Sequence, residues 1–218
     1  MNTVRIKVCG ITNRDDALAA VEAGADALGF NFFPRSPRCV SASHARSIIE
    51  AVPAEVLCVG VFVNEESPAA VERLATESNI ATVQLHGDES PDYCAAVRRT
   101  LGLIKALRVG ESFVPEQSLD FPADAVLLDS FSRRARGGTG ETFDWSLARR
   151  TRELVSKLYL AGGLTPENVG GAVRAVRPFA VDVCSGVELS PGRKSPELMR
   201  RFVSAARDAA EKLDATPT

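Results

Sequence analysis

A single (β/α)8 barrel of the TIM type, an α/β fold, is what this sequence predicts. Three observations carry that expectation. Eight short apolar runs alternate with helix-like segments along the whole of the 218 residues. The runs are near-continuously apolar, as strands buried on both faces of a parallel sheet are, and do not alternate strictly in polarity. No GxGxxG motif follows the first run, which counts against an open doubly wound sheet, the rival architecture with the same alternation. The length suits one such barrel without a second domain.

The strand segments are VRIKVC (4–9), DALGFNF (26–32), VLCVGVFV (56–63), IATVQLH (80–86), LIKALRV (103–109), DAVLLDS (124–130), LYLAGG (158–163) and FAVDVCSG (179–186). After the first, Thr12 or Asn13 can cap a helix whose opening turn holds Asp15 and Asp16, where the helix dipole favours negative charge. Leu18 and Val21 give that helix an apolar face. Between the third and fourth strands, Val71, Leu74 and Ala75 fall at i, i+3 and i+4, and the last helix aligns Leu198, Phe202, Ala205 and Ala209. Segment 110–122 is the weakest helix, interrupted by Pro115 and Pro122. After strand seven, Thr165 and Pro166 read as helix cap and first helical residue. The expected domain spans 1–212, with 213–218 a frayed tail.

Composition narrows the function classes. Hydrophobic residues make up 45% and charged residues 25%, with a net charge of −2, so no overall field draws the chain to nucleic acid or an anionic membrane. The basic cluster Arg133, Arg134 and Arg136 is local and reads as a solvated loop. No run reaches the ~18 apolar residues of a spanning helix. The opening MNTVRIK lacks the apolar stretch of a signal peptide, and the expected location is the cytoplasm. Five cysteines, an odd number with no CxxC pair, argue against a disulfide framework or a zinc site.

In a barrel of this type, chemistry belongs at the C-terminal ends of the strands and in the loops beyond. Those positions hold Cys9, Asn31, His86, Arg108, Asp129, the pair Gly162 and Gly163, and Asp182 through Gly186. The loops 33–39 and 131–143 lie on the same face, the latter carrying GGTG at 137–140, either a lid or a merely loose connection. AGGLTPENV after strand seven and CSGVE after strand eight place glycines where this fold binds phosphate. Cys9 and Asp129 end strands one and six, facing each other across the mouth, offset from a true diameter. A free thiol (pKa ~8.5) becomes a usable base beside a cation or a helix N-terminus, whereas Asp (~3.9) needs a raised pKa to serve as an acid. From position alone, Cys9 is either core filling or a base.

The motifs KVCGIT (7–12), GADALGFNFFPRSPRCV (24–40), GVFVN (60–64), VQLHGDE (83–89), LLDS (127–130), GGTGETFDW (137–145), AGGLTPENV (161–169) and VDVCSGVE (181–188) together resemble the phosphoribosylanthranilate isomerase family. The likeness runs in order across all eight strands. It implies an Amadori rearrangement without a cofactor or a metal, acting on a small phosphosugar in tryptophan biosynthesis, in a monomer or homodimer that binds neither nucleic acid nor membrane. Cys9 then resembles the general base and Asp129 the general acid, and Arg38 the residue that binds the anthranilate carboxylate. Gly162, Gly163, Ser185 and Gly186 would hold the phosphate. Asp182 is either an orienting carboxylate behind the reacting groups or a structural one, and His86 stands near the mouth with a weaker claim to proton transfer. The sequence departs from the family pattern at Ala161 and Cys184, where serine is frequent; phosphate contacts through backbone would tolerate both changes. The nearest alternatives are the histidine-pathway isomerase, or a bifunctional relative, and a barrel that binds phosphosugars without turning them over. Cys at strand one and the lack of a Gly-Gly pair in the first half disfavour the former, and the Cys9–Asp129 pair disfavours the latter.

Overall fold

A computed structural model describes residues 4–130 and 145–214. Strands β1 (Arg5–Cys9), β2 (Ala27–Asn31), β3 (Leu57–Phe62), β4 (Thr82–Leu85), β5 (Gly102–Val109), β6 (Ala125–Ser130), β7 (Leu158–Ala161) and β8 (Ala180–Val183) pair in chain order, all parallel, and β8 closes onto β1. This is the expected (β/α)8 barrel. The helices are α1 (Arg14–Glu22), α2 (Ala42–Ile49), α3 (Pro68–Glu77), α4 (Pro91–Arg98), α5 (Trp145–Leu154), α6 (Val169–Val176) and α7 (Pro196–Asp214). Between β5 and β6 a 3-10 turn, Pro115–Leu119, stands in place of a helix. Proline at its first position permits the start of a turn, but nothing there sustains one.

Local chemistry accounts for the helix starts. The side chains of Ser41, Ser67 and Ser90 cap α2, α3 and α4, and proline follows directly in the last two. Asn13, and not Thr12, caps α1: its side chain accepts from the Asp16 N–H at 2.8 Å. The Thr12 hydroxyl is engaged elsewhere, donating to the Gly192 carbonyl at 2.6 Å. Two expectations fail nearby. Of the expected apolar face of α1, Val21 packs against the core, but Leu18 is 37% exposed and Ala17 and Ala20 are buried in its place. After β7 the helix begins at Val169, not at Thr165, since Thr165–Asn168 forms a separate turn in which the Asn168 side chain accepts from the Thr165 N–H. A hairpin of β9 (Glu188–Ser190) and β10 (Arg193–Lys194), which the sequence pattern does not signal, follows β8. Helix α7 runs to Asp214, past the boundary expected at 212, and 215–218 lie outside the described residues.

Two apolar layers result. The outer one sets strand residues such as Ile6, Leu28, Phe30, Leu103 and Leu160 against the buried faces of the helices, Val71, Ala75 and Phe202 among them. The inner one, Val59, Ile104, Ala106, Leu127, Tyr159, Ala161 and Ala180, fills the barrel. The inner layer also contains polar residues: Lys7, Gln84 and Asp182 are buried at 0, 1 and 8% exposure. Side chains alternate across a strand, so the parity that turns Lys7 inward also turns Cys9 inward, Gln84 carries His86, Leu127 carries Asp129, and Asp182 carries Cys184.

A second buried ion pair secures the loop that leaves β4. Lys105 Nζ donates to Glu89 Oε2 at 2.7 Å and to the Gly87 carbonyl at 2.8 Å, with both side chains 2% exposed or less. Glu89 also accepts from the backbone of Asn64 at 2.9 Å and of Gly87 at 3.0 Å, joining the exits of β3 and β4. Glu89→Ala would leave the Lys105 ammonium buried without its counter-charge. The expected loss is about 3–5 kcal/mol, measured by denaturant unfolding; a loss under ~1 kcal/mol would show that the pair does not hold this loop.

Candidate active site

Strand ends converge on a cavity of about 240 Å³ at the C-terminal mouth of the barrel. Cys9, Asn31, Arg38, His86, Asp129, Gly162, Gly163, Asp182, Ser185 and Gly186 all line it, so most residues singled out in the sequence meet here. Arg108 does not: although in register with Asp129, it is exposed at the rim. The Asn31 side chain faces the cavity but accepts from the Phe33 N–H at 2.9 Å, shaping the start of loop 33–39. GGTG and the arginines 133, 134 and 136 lie outside the described residues. A larger cavity of about 340 Å³, beside Arg177 and Phe179, opens at the opposite ends of the strands and gathers no acid–base pair. Among the described residues no three His, Cys, Asp or Glu side chains converge as metal ligands do.

Cys9 sits in register with Gly29 on β2, and a Cβ at Gly29 would come within 2.7 Å of the Cys9 sulfur. Glycine there makes the space for the thiol, a requirement that the sequence alone does not reveal. The Cys184 thiol hydrogen-bonds to Cys9, and this contact is the main cause that lowers the Cys9 pKa well below the ordinary thiol range. Burial opposes the shift, while the ammonium groups of Lys7 and Lys194 reinforce it. The Cys184 thiol is correspondingly pushed up, because it supplies the proton the pair shares. The direction of the shift favours the thiolate form of Cys9, which lines the cavity. Cys184, a departure from the family pattern, lies beside Cys9.

Across the mouth Asp129 Oδ2 lies 3.1 Å from His86 Nε2, and both side chains are partly open to the cavity. His86 Nδ1 in turn faces Gln84 Nε2 at 2.9 Å. Beneath them Lys7 Nζ reaches Gln84 Oε1 at 3.0 Å and Asp182 Oδ1 at 2.9 Å. Burial works against the Lys7 charge, but the negative charges of Asp182 and Cys9 outweigh it and raise the pKa above that of an ordinary amine. Asp182 is pushed up to about 6 by burial, against the pull of Lys7, and stays ionised at neutral pH. It holds Lys7 and lines the same cavity as both acid–base candidates.

Arg38 enters from loop 33–39 and is already paired. Its Nε and Nη2 donate to the two Glu188 oxygens at 2.8 and 2.6 Å, a bidentate contact. Lys194 Nζ donates to the same carboxylate at 2.9 Å. Burial would raise the Glu188 pKa, but these two cations overcome it and hold the carboxyl below its usual range. Two cations around one carboxylate leave a net positive corner beside the mouth. Gly162 and Gly163 adopt φ of 86° and 65°, the left-handed region open to glycine. Gly186 presses so closely on the Leu164 carbonyl that a Cβ would overlap it, which locks the loops after β7 and β8 together.

A barrel mouth that sets an activated thiol and a hydrogen-bonded carboxyl on opposite walls, between a cationic corner and glycine loops, defines an enzyme of acid–base chemistry on a small anionic substrate. Comparison with known proteins narrows the class. The family model of N-(5′-phosphoribosyl)anthranilate isomerase matches residues 6–205, and the chain belongs to that family. Isomerases so named from Citrifermentans bemidjiense and Trichlorobacter lovleyi are 50 and 46% identical over 94% of this chain, and over 98 and 99% of theirs. The crystal structure of the Thermotoga maritima isomerase superposes with a TM-score of 0.86 at 45% identity, over 94% of this chain and 99% of its own. A second isomerase structure, solved with reduced 1-(o-carboxyphenylamino)-1-deoxyribulose 5-phosphate, gives 0.84 at 43%, with the same shares covered.

The Cys184 contact has a measurable consequence. Alkylation of Cys9 should continue well below about pH 8, where an ordinary thiol is mostly protonated. Cys184→Ala removes the donor and should move the alkylation midpoint upward. An unchanged midpoint would show that the ammonium groups alone lower it.

Proposed function

We propose that Cys9 and Asp129 divide the proton transfers of the family's isomerisation between them. The observation that carries this reading is their pairing across one cavity, with a thiol donor beside Cys9 and an imidazole beside Asp129. The chain catalyses the Amadori rearrangement of N-(5′-phosphoribosyl)anthranilate to 1-(o-carboxyphenylamino)-1-deoxyribulose 5-phosphate, a step of tryptophan biosynthesis. Protonated Asp129 gives its proton to the furanose ring oxygen. The C1–O bond then breaks as the nitrogen lone pair forms a protonated Schiff base. That cation acidifies the C2–H, and the Cys9 thiolate removes the proton. The C2–H pair becomes the C1=C2 bond while the C=N pair returns to nitrogen, giving an enolamine. Proton gain at C1 and proton loss from the C2 hydroxyl complete the ketose.

The remaining groups hold the substrate. With Nε and Nη2 committed to Glu188, Arg38 offers Nη1 to the anthranilate carboxylate, already oriented by its partner. The phosphate lies on the backbone of Gly162, Gly163, Ser185 and Gly186, in the loops where this fold commonly binds phosphate. The five cysteines are all unpaired, in keeping with a cytoplasmic location. No helix among the described residues is long and apolar enough to cross a membrane. A dimeric form of the isomerase is known from Thermotoga maritima; here every residue proposed for the site comes from one barrel.

Cys9→Ala and Asp129→Asn should each lower turnover by about 10²–10⁴-fold with the fold intact. Near wild-type turnover in either variant would remove that residue from the mechanism. Arg38→Ala should raise KM for phosphoribosylanthranilate while leaving inhibition by inorganic phosphate unchanged, and an unaltered KM would refute its assignment. Offering the histidine-pathway aminoimidazole substrate in parallel distinguishes a dedicated enzyme, expected here, from a bifunctional one.

A further inference from the structure

One buried titratable group has no part in the proton transfers just described. Lys7 is fully buried inside the barrel, and its ammonium meets Asp182 Oδ1 at 2.9 Å and Gln84 Oε1 at 3.0 Å. An ammonium donates and cannot accept, so the Gln84 atom that faces it must be the carbonyl oxygen. That orientation turns the Gln84 amide hydrogens toward His86, whose Nδ1 lies 2.9 Å from Gln84 Nε2. Nδ1 must therefore be an acceptor. The ring proton of neutral His86 is left on Nε2, 3.1 Å from Asp129 Oδ2. A single fixed donor thus sets every hydrogen along Lys7, Gln84, His86 and Asp129.

The two tautomers of His86 would treat the acid in opposite ways. With hydrogen on Nε2, the ring donates to Oδ2, and the proton of the acid form of Asp129 is confined to the other oxygen, Oδ1. With hydrogen on Nδ1, a bare Nε2 would accept from the carboxyl and compete with the substrate for its proton. The charged groups facing this chain from neighbouring strands are Asp182 on β8 and Cys9 on β1, and both act on Lys7, keeping it a donor. We propose that Lys7 and Gln84 are positioning residues that, through the tautomer of His86, keep the transferable proton of Asp129 on Oδ1. The proposal rests on Asp129 being the acid.

The chain contains two histidines, His44 and His86, which makes the test direct. Nitrogen-15 NMR of histidine-labelled protein reports the ring tautomer, and His44→Gln, a change on the outer helix α2, assigns the signals. His86 is expected as the pure Nε2–H form. In Gln84→Glu a carboxylate still accepts from Lys7 but offers His86 a second acceptor, so Nδ1 should gain a proton and the ring should leave the neutral Nε2–H form. Turnover should then fall roughly tenfold or more with KM nearly unchanged, a split that general loosening of the pocket would not produce. An Nδ1–H ring in the wild-type protein, or a ring that has left the Nε2–H form with unchanged turnover, overturns the proposal. Should Gln84→Glu not fold, Gln84→Met, which cuts the chain, should show mixed tautomers; a pure Nε2–H ring there overturns it equally. Full turnover in Asp129→Asn would instead remove the acid, a failure of the reaction scheme that leaves the His86 spectrum untouched.

Discussion

An ammonium ion lies buried where a barrel of this size ordinarily packs aliphatic side chains, and the mouth above it is arranged around that charge. Desolvating Lys7 is costly, and the interior offsets the cost through Asp182, Gln84 and the charge on Cys9. Those partners come from β8 and β4 and from two residues further along β1 itself, so the requirement to satisfy one charge registers three strands at the layer just beneath the mouth. The rest of the interior is apolar, with Val59, Ile104, Leu127 and Tyr159 among its residues. Cys9, His86 and Asp129 thus gather at the end of the barrel where the loops open.

The proposed acid, Asp129, and the proposed base, Cys9, are served by the same device. Lys7 acts through Gln84 on His86 and hence on Asp129. Lys194, also fully buried, lies 3.8 Å from the Cys184 sulfur and 3.1 Å from its carbonyl. An ammonium again cannot accept, so the Cys184 sulfur takes that contact with a lone pair, leaving its hydrogen for the neighbouring Cys9. In each case a buried cation orients a neutral intermediary, and the intermediary presents a hydrogen to the reacting group. Neither cation needs to touch the substrate, and neither can lose its role through rotation, because all of its hydrogen bonds point one way.

Much of this was legible in the sequence, for reasons of periodicity. Buried parallel strands are apolar along their whole length, so the strand order could be read directly, and the α1 cap, Asn13, was one of two candidates. The mouth residues followed from the strand ends. What escaped was set by space between elements. Leu18 faces solvent while α1 buries Ala17 and Ala20, and Gly29 matters only because β1 brings Cys9 beside it. The Arg38–Glu188 pair joins residues 150 apart in the chain through a hairpin that carries no strong strand signal. The polar interior was more accessible than it looked: Lys7 with Cys9, Gln84 with His86 and Asp182 with Cys184 each stand two apart, so the parity that aims the second into the mouth buries the first beneath it.

That parity also explains why cysteine is acceptable at 184. Judged as a phosphate ligand, Cys184 is a poor replacement for serine, since a thiol is a weak donor to an anionic oxygen. Its strand position, however, follows Val183 on β8 as Cys9 follows Val8 on β1, and Val8 and Val183 are in register. The side chain is therefore committed to the neighbour of Cys9 before any substrate binds. A thiol in that position would tune Cys9 as the proposed base, while the backbone of Ser185 and Gly186, one and two residues further on, remains available for the proposed phosphate site. The two roles separate along the chain, and a change of donor at one of them leaves the other geometrically intact.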